Sequence, residues 1–263
     1  TCCKGMLVLV LMLPGCGAND AAQRERIIGA FDARELTGAF VAYDASRSRW
    51  FRHGTDRCVD GVLPASTFKI WNALIALDCG VADGADYVIP WDGVTRDIPA
   101  WNQDHTLASA LRVSAVPYYQ ELARRIGAER MADGLRRLKY GNGDMSAGID
   151  RFWLEGGMRI TPEQQVTLLR RLHDGTLPFH ADAMATVRGM LRQQTDGDGP
   201  VLYGKTGWAT STEINAGWFV GWVECPGGPV YFATLVLAKR PIPANFLSAR
   251  KEIALECLQA ISY

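Results

Sequence analysis

Apolar residues recur along this chain with two different periods, and the change from one to the other divides it into segments. Residues 19–31 alternate in the manner of a short amphipathic helix opened at Asn19-Asp20. Gly38-Ala39-Phe40-Val41-Ala42-Tyr43 reads as a strand, Asp44-Ala45-Ser46-Arg47-Ser48 as a turn, and Arg49-Trp50-Phe51-Arg52 as the returning partner. A nearly unbroken apolar run, Ile70-Trp71-Asn72-Ala73-Leu74-Ile75-Ala76-Leu77, then predicts a buried helix. Pro64 and Ser66 suit its opening, and Gly80 suits the position just past its end. Helical periods hold for more than a hundred residues after this. Helices are predicted over 106–111, over 117–126 with Pro117 at a first helical position, and over 129–138. Thr161-Pro162-Glu163-Gln164 is a capping box that opens a helix running to His173 and stopping at Gly175. The last helix of the block, 181–194, ends at the turn-rich Thr195-Asp196-Gly197-Asp198-Gly199-Pro200. Strand signals return at 201–205, 216–224 and 230–239, the last two joined by Cys225-Pro226-Gly227-Gly228-Pro229. An amphipathic helix over 249–261 closes the chain.

Strands at both ends with helices between them predict an α+β fold. The expected architecture is one antiparallel sheet of five to six strands, flanked by the N- and C-terminal helices, with a second, all-helical lobe. Residues 19–263 then form a single domain, its α/β lobe made of about 19–60 and 196–263 and its helical lobe of about 61–195. Neither internal repeats nor a low-complexity linker interrupts it.

Residues 1–18 read as a targeting segment. Lys4 precedes Met6-Leu7-Val8-Leu9-Val10-Leu11-Met12-Leu13, too short to span a bilayer but right for the apolar part of an export signal. It ends in Leu13-Pro14-Gly15-Cys16, which resembles a lipoprotein cleavage box with Cys16 as the lipidated residue. Pro14 departs from the small residue usual there, so simple cleavage nearby stays open beside a lipid anchor. Thr1 at the beginning leaves the start codon open. Export implies an oxidising compartment, here the periplasm of a Gram-negative-type bacterium. Cys58, Cys79, Cys225 and Cys257 remain in the mature part, with buried free thiols the default and any pairing undecided.

Composition removes several function classes. The chain has 263 residues, 48% hydrophobic and 21% charged, with 28 basic and 28 acidic side chains. A balance of that kind argues against nucleic acid or an acidic membrane surface as partner. His53, His105, His173 and His180 show no paired spacing and the cysteines no Cys-x-x-Cys, so no metal site is expected. No Gly-rich phosphate loop is present.

What remains is a pattern suited to nucleophilic catalysis. In Pro64-Ala65-Ser66-Thr67-Phe68-Lys69 a hydroxyl and an amine sit three residues apart, on one face of a helical turn. Serine becomes a nucleophile only when a base removes its proton, and lysine serves as base only when burial suppresses its charge. Ser-x-x-Lys alone is a common pattern, and Ser248–Lys251 repeats it beside Arg250 and Glu252, where it reads as a solvated helix start. Three further signals follow the first copy. Ser114-Ala115-Val116 precedes Pro117, Tyr140-Gly141-Asn142 lies where a helix ends, and Lys205-Thr206-Gly207-Trp208 ends a strand. Taken singly these are a helix cap, a helix stop and a bend. Their common order and intervals go beyond that.

On these residues the sequence resembles the serine penicillin-recognising enzymes. More narrowly it resembles the class D serine β-lactamases, the oxacillinase group, through Pro64 to Lys69, Val116, Tyr140-Gly141-Asn142 and Phe152-Trp153-Leu154-Glu155-Gly156. Trp91-Asp92-Gly93, the run Gly217-Trp218-Phe219-Val220-Gly221-Trp222-Val223-Glu224, and Arg250 support it. The likeness covers roughly residues 20–260. It implies a hydrolase acting on β-lactams through a Ser66 acyl-enzyme. Phe68, Val116, Trp153 and Leu154 are implied to line a dry pocket in which Lys69 takes up carbon dioxide to become N6-carboxylysine, held by the Trp153 indole. No other cofactor is implied. Further implied roles are a proton relay for Ser114, biased by Lys205; an oxyanion hole from the backbone N–H groups of Ser66 and Trp208; substrate binding at Thr206, Gly207 and Arg250; and shaping of the site by Tyr140, Gly141 and Asn142. Monomer and homodimer both stay open. The short segment 208–216 is similar to that of carbapenem-active members. Three rivals share the fold: a penicillin-sensing receptor domain that acylates without hydrolysing, a cell-wall D,D-peptidase, and a lipoprotein without activity. Such receptors carry a long membrane portion ahead of the sensor, where here a signal-length segment precedes residue 20. Val116 favours the hydrolytic branch.

Overall fold

A computed structural model describes residues 16–194, 199–210 and 213–261. The leader residues 1–15 lie outside these, and with them the targeting segment, so lipidation at Cys16 rests on sequence alone. The first helix, α1 (Cys16–Asp32), starts inside the segment assigned to targeting. A hairpin follows, β1 (Thr37–Asp44) and β2 (Arg49–His53). Short 310 turns at Thr55–Cys58 and Ala65–Phe68 lead into α2 (Lys69–Asp78). The two-residue strands β3 (Val88–Ile89) and β4 (His105–Thr106) pair with each other and enclose a 310 turn, Pro99–Trp101. Next come α3 (Leu107–Val113), α4 (Val116–Ile126), α5 (Ala128–Leu138), α6 (Pro162–His173) and α7 (Ala181–Met190). β5 (Leu202–Ala209), β6 (Ile214–Val223), β7 (Val230–Lys239) and α8 (Phe246–Ile261) complete the fold.

The large sheet is fully antiparallel in the order β2-β1-β7-β6-β5, so strands from the two ends of the chain meet at β1 and β7. Both faces are covered, which is why β6 and β7 read as continuous apolar runs rather than alternating ones. One face packs on α1 and α8 through Phe31, Phe40, Phe232 and Ile253. Arg34 clamps that layer, donating from Nε to Glu252 (3.1 Å) and from Nη1 to Glu256 (3.0 Å) on α8. The other face packs on the helical block around α2, whose residues 69–76 are all buried.

Several boundaries differ from those read in the sequence, each for a local reason. The expected helix 181–194 stops at Met190, because Gln193 N–H pairs with the Leu202 carbonyl and Arg192 bridges Tyr203. Strand β5 runs on to Ala209, so Lys205-Thr206-Gly207-Trp208 lies inside a strand and not at its end. Pairing of Trp208 with Gly217 and of Ala209 with Ala216 carries it forward. The segment between β5 and β6 is correspondingly shorter than 208–216. The capping box at Thr161 forms as read, with Gln164 N–H donating to Thr161 Oγ1 at 3.1 Å and Thr161 N–H to Gln164 Oε1 at 2.9 Å. The thiols of Cys58, Cys79, Cys225 and Cys257 are free, Cys58 and Cys257 buried, Cys79 and Cys225 half-buried. Among the described residues no helix is long and apolar enough to cross a membrane.

Candidate active site

The chain enters the site at Pro64 and turns through Ala65 with φ at +48°. A residue carrying a Cβ holds that left-handed conformation at a cost of about 1–2 kcal/mol. The following turn is 310 rather than α-helical, and in a 310 turn residues three apart eclipse each other. Ser66 and Lys69 are that pair, and Lys69 Nζ lies 2.7 Å from Ser66 Oγ in a hydrogen bond.

Lys69 is fully buried at the start of α2. Aromatic rings pack around its chain neighbour Phe68. Phe68 stacks on Trp153 at 5.5 Å and meets Phe152 and Tyr140 edge-on at 4.8 and 5.2 Å. The Tyr119 ring centroid lies 5.7 Å from Nζ. Among the described residues no carboxylate forms an ion pair with this amine. Burial therefore drives the Lys69 pKa well below the ordinary lysine value, and the Lys205 ammonium pushes the same way. A neutral amine beside a hydroxyl is a base in waiting. Trp153 adds a second feature, because its Nε1 is buried without an acceptor. An unmatched donor of that kind is costly unless something fills the gap. A neutral amine together with an orphaned indole N–H fits a small acidic adduct on Lys69, which would supply the acceptor.

Across from this pair, Ser114 closes α3 in a left-handed conformation, φ +58°. It ends a helix, where sequence reasoning on the residue alone made it a helix-opening cap. Lys205 Nζ donates to Ser114 Oγ at 3.0 Å and to the Thr206 carbonyl at 2.9 Å. Burial, reinforced by Arg250 and Lys251, lowers the Lys205 pKa to about 7. The site thus sets two buried amines against two hydroxyls.

Gly207 brings β5 against the nucleophile's turn. A Cβ there would sit 3.1 Å from the Pro64 carbonyl oxygen and 3.3 Å from Thr67 N, so a larger residue would require strand and turn to give by a few tenths of an ångström. That approach sets Trp208 beside the first turn around Ser66, where N–H groups lack intrahelical acceptors. Arg250 on α8 donates from Nη1 to the Gly207 carbonyl at 2.8 Å, while its buried Nε has no partner. Its guanidinium is thereby fixed beside Gly207 on β5.

Tyr140-Gly141-Asn142 acts on the segment that carries Trp153. Gly141 lies so close to the Arg159 carbonyl that a Cβ would overlap it. Asn142 donates to the Gly157 carbonyl at 2.8 Å and accepts from Arg159 N–H at 3.0 Å. Ile160 and Val62 exchange backbone bonds of 3.0 and 2.9 Å, tying the same loop to the chain just ahead of Ser66.

The model of the penicillin binding protein transpeptidase domain matches residues 33–259. The chain is 41% identical over 203 residues to β-lactamase OXA-48 of Klebsiella pneumoniae, covering 77% of this chain and 76% of that one. The class D β-lactamase YbXI structure from Nostoc superposes with a TM-score of 0.84 at 38% identity, covering 89% of this chain and 98% of that one. The chain belongs to the class D serine β-lactamase family. It is also 34% identical to the regulatory protein BlaR1 of Bacillus licheniformis over 87% of its own length, but this spans only 37% of that protein.

For a class D member the arrangement is informative residue by residue. Ser66, Lys69, Ser114 and Lys205 come together as two bonded pairs, and Thr206, Gly207, Trp208 and Arg250 line up along β5 and its neighbour α8. Phe68 and Trp153 are fully buried, whereas Val116 and Leu154 are only partly so. Leu154 lines a cleft of about 550 Å3 with Val62, Ala209 and Ile214. Trp91 and Asp92 line a cavity with Ala115 and Pro117, their loop held by Asp104 and by an Arg96–Asp92 ion pair. Three contributors escaped sequence reasoning. Tyr119 faces Lys69, Ala65 takes the left-handed turn, and Gln165 donates to Thr67 Oγ1 at 2.8 Å from within α6. Only Gln165 left a trace, as a polar residue on an otherwise apolar helix face.

Proposed function

We propose that the chain hydrolyses β-lactam antibiotics through an acyl-enzyme on Ser66, with a carboxylated Lys69 as general base in both half-reactions. The observation that carries this reading is the buried Lys69 Nζ at 2.7 Å from Ser66 Oγ; the Tyr119 ring 5.7 Å from that amine and the buried, unpartnered Trp153 Nε1 support it. Carbon dioxide bound on the free amine supplies an anionic base that an unmodified lysine, neutral or charged, does not. Ser66 Oγ gives up its proton toward the Lys69 side chain and forms a bond to the lactam carbonyl carbon. Backbone N–H groups of Ser66 and Trp208 stabilise the negative oxygen as it develops. Ser114 hands a proton to the departing lactam nitrogen as the C–N bond breaks, Lys205 replenishes Ser114 along the 3.0 Å bond, and the proton that Lys69 took from Ser66 passes on to Lys205, so that Lys69 is again free to accept one in the second half-reaction. Thr206 and Arg250 hold the substrate carboxylate, whose geometry matches a guanidinium. In the second half-reaction a water loses its proton toward Lys69 and attacks the ester carbon, and Ser66 recovers its hydroxyl proton. Phe68 and Trp153 keep the base dry, with Val116 and Leu154 closing the approach. Tyr140, Gly141 and Asn142 fix the loop that carries Trp153.

The apolar leader before Cys16 supports export to the periplasm, with or without a lipid anchor. Likeness to BlaR1 makes a sensor that acylates without release the second reading. A chromogenic cephalosporin separates the two. Product accumulating far beyond one equivalent, and faster with added bicarbonate at mildly acidic pH, is the expected result. A single stoichiometric burst would assign the chain to the sensors. Turnover indifferent to bicarbonate at every pH would remove the carboxylated lysine.

A further inference from the structure

A groove of about 720 Å3 opens from the catalytic strand and is not used by the mechanism above. Lys205 and Thr206 form its inner end, and Arg112, Arg192 and Lys251 stand along its walls. Arg112 is exposed just ahead of Ser114, at the end of α3, and Arg192 is exposed just beyond α7. Neither forms an ion pair or hydrogen bond with another described side chain, and no carboxylate is among the described residues that line the groove. The cleft on the other side of β5 differs, since Glu155 lies there with Arg57 and Arg159. Nor is the cationic lining a by-product of a basic protein, because the formal net charge is zero. Unpaired cations converging on a concave surface concentrate anions there. The floor is built firmly, as Gln193 Nε2 donates to the carbonyls of Leu191 (3.1 Å) and Gly204 (2.9 Å), joining the end of α7 to β5.

We infer that this groove receives a second anionic group of the substrate, placed beyond the ring carboxylate held at Thr206 and Arg250, so that dianionic β-lactams are preferred to monoanionic ones of the same shape. The inference rests on the hydrolytic reading above. It adds a specificity element made of Arg112, Arg192 and Lys251. A substituent at the 3-position of a cephalosporin leaves the ring next to its carboxylate and so points along this groove.

The test uses two cephalosporins with one acyl side chain, carrying a methyltetrazolylthio group at the 3-position in one and its sulfomethyl analogue in the other (cefamandole and cefonicid). The quantity read is the ratio of kcat/KM, dianion to monoanion. One partly exposed ion pair is worth up to about fivefold, so the ratio is expected to approach about fivefold in low salt, carried mainly by KM, and to fall toward one as salt screens it. Gly189 on α7 supplies a clean perturbation, because a Cβ there meets nothing within 4 Å. Gly189→Glu places a competing carboxylate in the groove and should abolish the ratio, while Gly189→Gln, of equal size, should preserve it. A ratio near one at all salt concentrations, or one that Gly189→Gln abolishes as well as Gly189→Glu, overturns the inference while turnover of the monoanion leaves the hydrolytic reading standing. If neither compound is turned over, the hydrolytic reading fails and this inference falls with it.

Discussion

The chain contains the Ser-x-x-Lys pattern twice, and the two copies have opposite surroundings. At Ser66–Lys69 a 310 turn eclipses the pair, the amine is fully buried, and the hydroxyl lies 2.7 Å away. At Ser248–Lys251 the pair sits near the start of α8, Ser248 is exposed, and its Oγ donates to the Asn245 carbonyl at 3.1 Å. There the lysine turns to the Phe219 ring, 5.5 Å from its centroid, and contributes to the electropositive groove. Spacing is therefore not the source of the chemistry. What differs is the solvation of the amine and the turn that presents it.

The largest effect is expected from removing the buried amine. Lys69→Met should lower kcat/KM by about 10²–10⁴-fold, the usual worth of a general base. It should also raise unfolding stability by about 1–2 kcal/mol, because a buried amine held by its bond to Ser66 and paired with no carboxylate is replaced by a thioether of similar length. Loss of stability in thermal denaturation would mean that the amine is well compensated where it lies, contrary to its surroundings. Next in size is Trp153→Phe, which keeps a ring against Phe68 but removes the indole N–H. Acylation should continue and release should slow by about 10²-fold or more, seen in intact-mass spectra as an adduct on Ser66. A parent-like rate would remove Trp153 from the mechanism.

A third test sharpens the electrostatic side. The folded pKa of Lys205 is depressed to about 7 by burial, followed by Arg250 and Lys251, whereas in the unfolded chain it returns to about 10.4. Between those values the unfolded chain binds a proton that the folded chain has released, so stability rises with pH through this window. Below about 7 both states hold the proton and this contribution to the slope vanishes. Lys69, depressed in the same direction, adds to the effect. Each such group contributes a slope of at most about 1.4 kcal/mol per pH unit. Denaturant titrations from neutral to alkaline pH should show the rise, reduced in Lys205→Met; an unchanged slope in that variant would contradict the assignment. The smallest effect belongs to the second motif copy. Ser248→Ala should change stability by less than about 0.5 kcal/mol and leave kcat alone.

Much of this was legible in the chain because the relevant signals are local. The order of elements followed from apolar periods, the Thr161 capping box formed as written, and strands at both ends met in one antiparallel sheet. The four polar residues at Ser66, Lys69, Ser114 and Lys205 could be singled out because each interrupts an apolar or turn-forming context. What stayed hidden depends on distant contacts or on backbone conformation. No pattern marks Tyr119 as the ring facing Lys69, since it occupies one more apolar position on α4. The left-handed turn at Ala65 is invisible in the sequence, because it is taken by an alanine and not by the glycine or asparagine that signal such a conformation. Extension of β5 through the Lys205 motif was missed because glycine and threonine read as a bend until their pairing with β6 is known. Even the groove required the fold, because α3, α7, β5 and α8 each contribute to it from separate parts of the chain.

The proposed mechanism depends on the state of Lys69, and carbon-13 NMR reads it directly. Protein equilibrated with carbon-13-enriched bicarbonate should show a single carbamate resonance of about one equivalent, absent in Lys69→Met, lost on acidification and restored at neutral pH with activity in parallel. An enzyme that turns over β-lactams at full rate while showing no such resonance would contradict it.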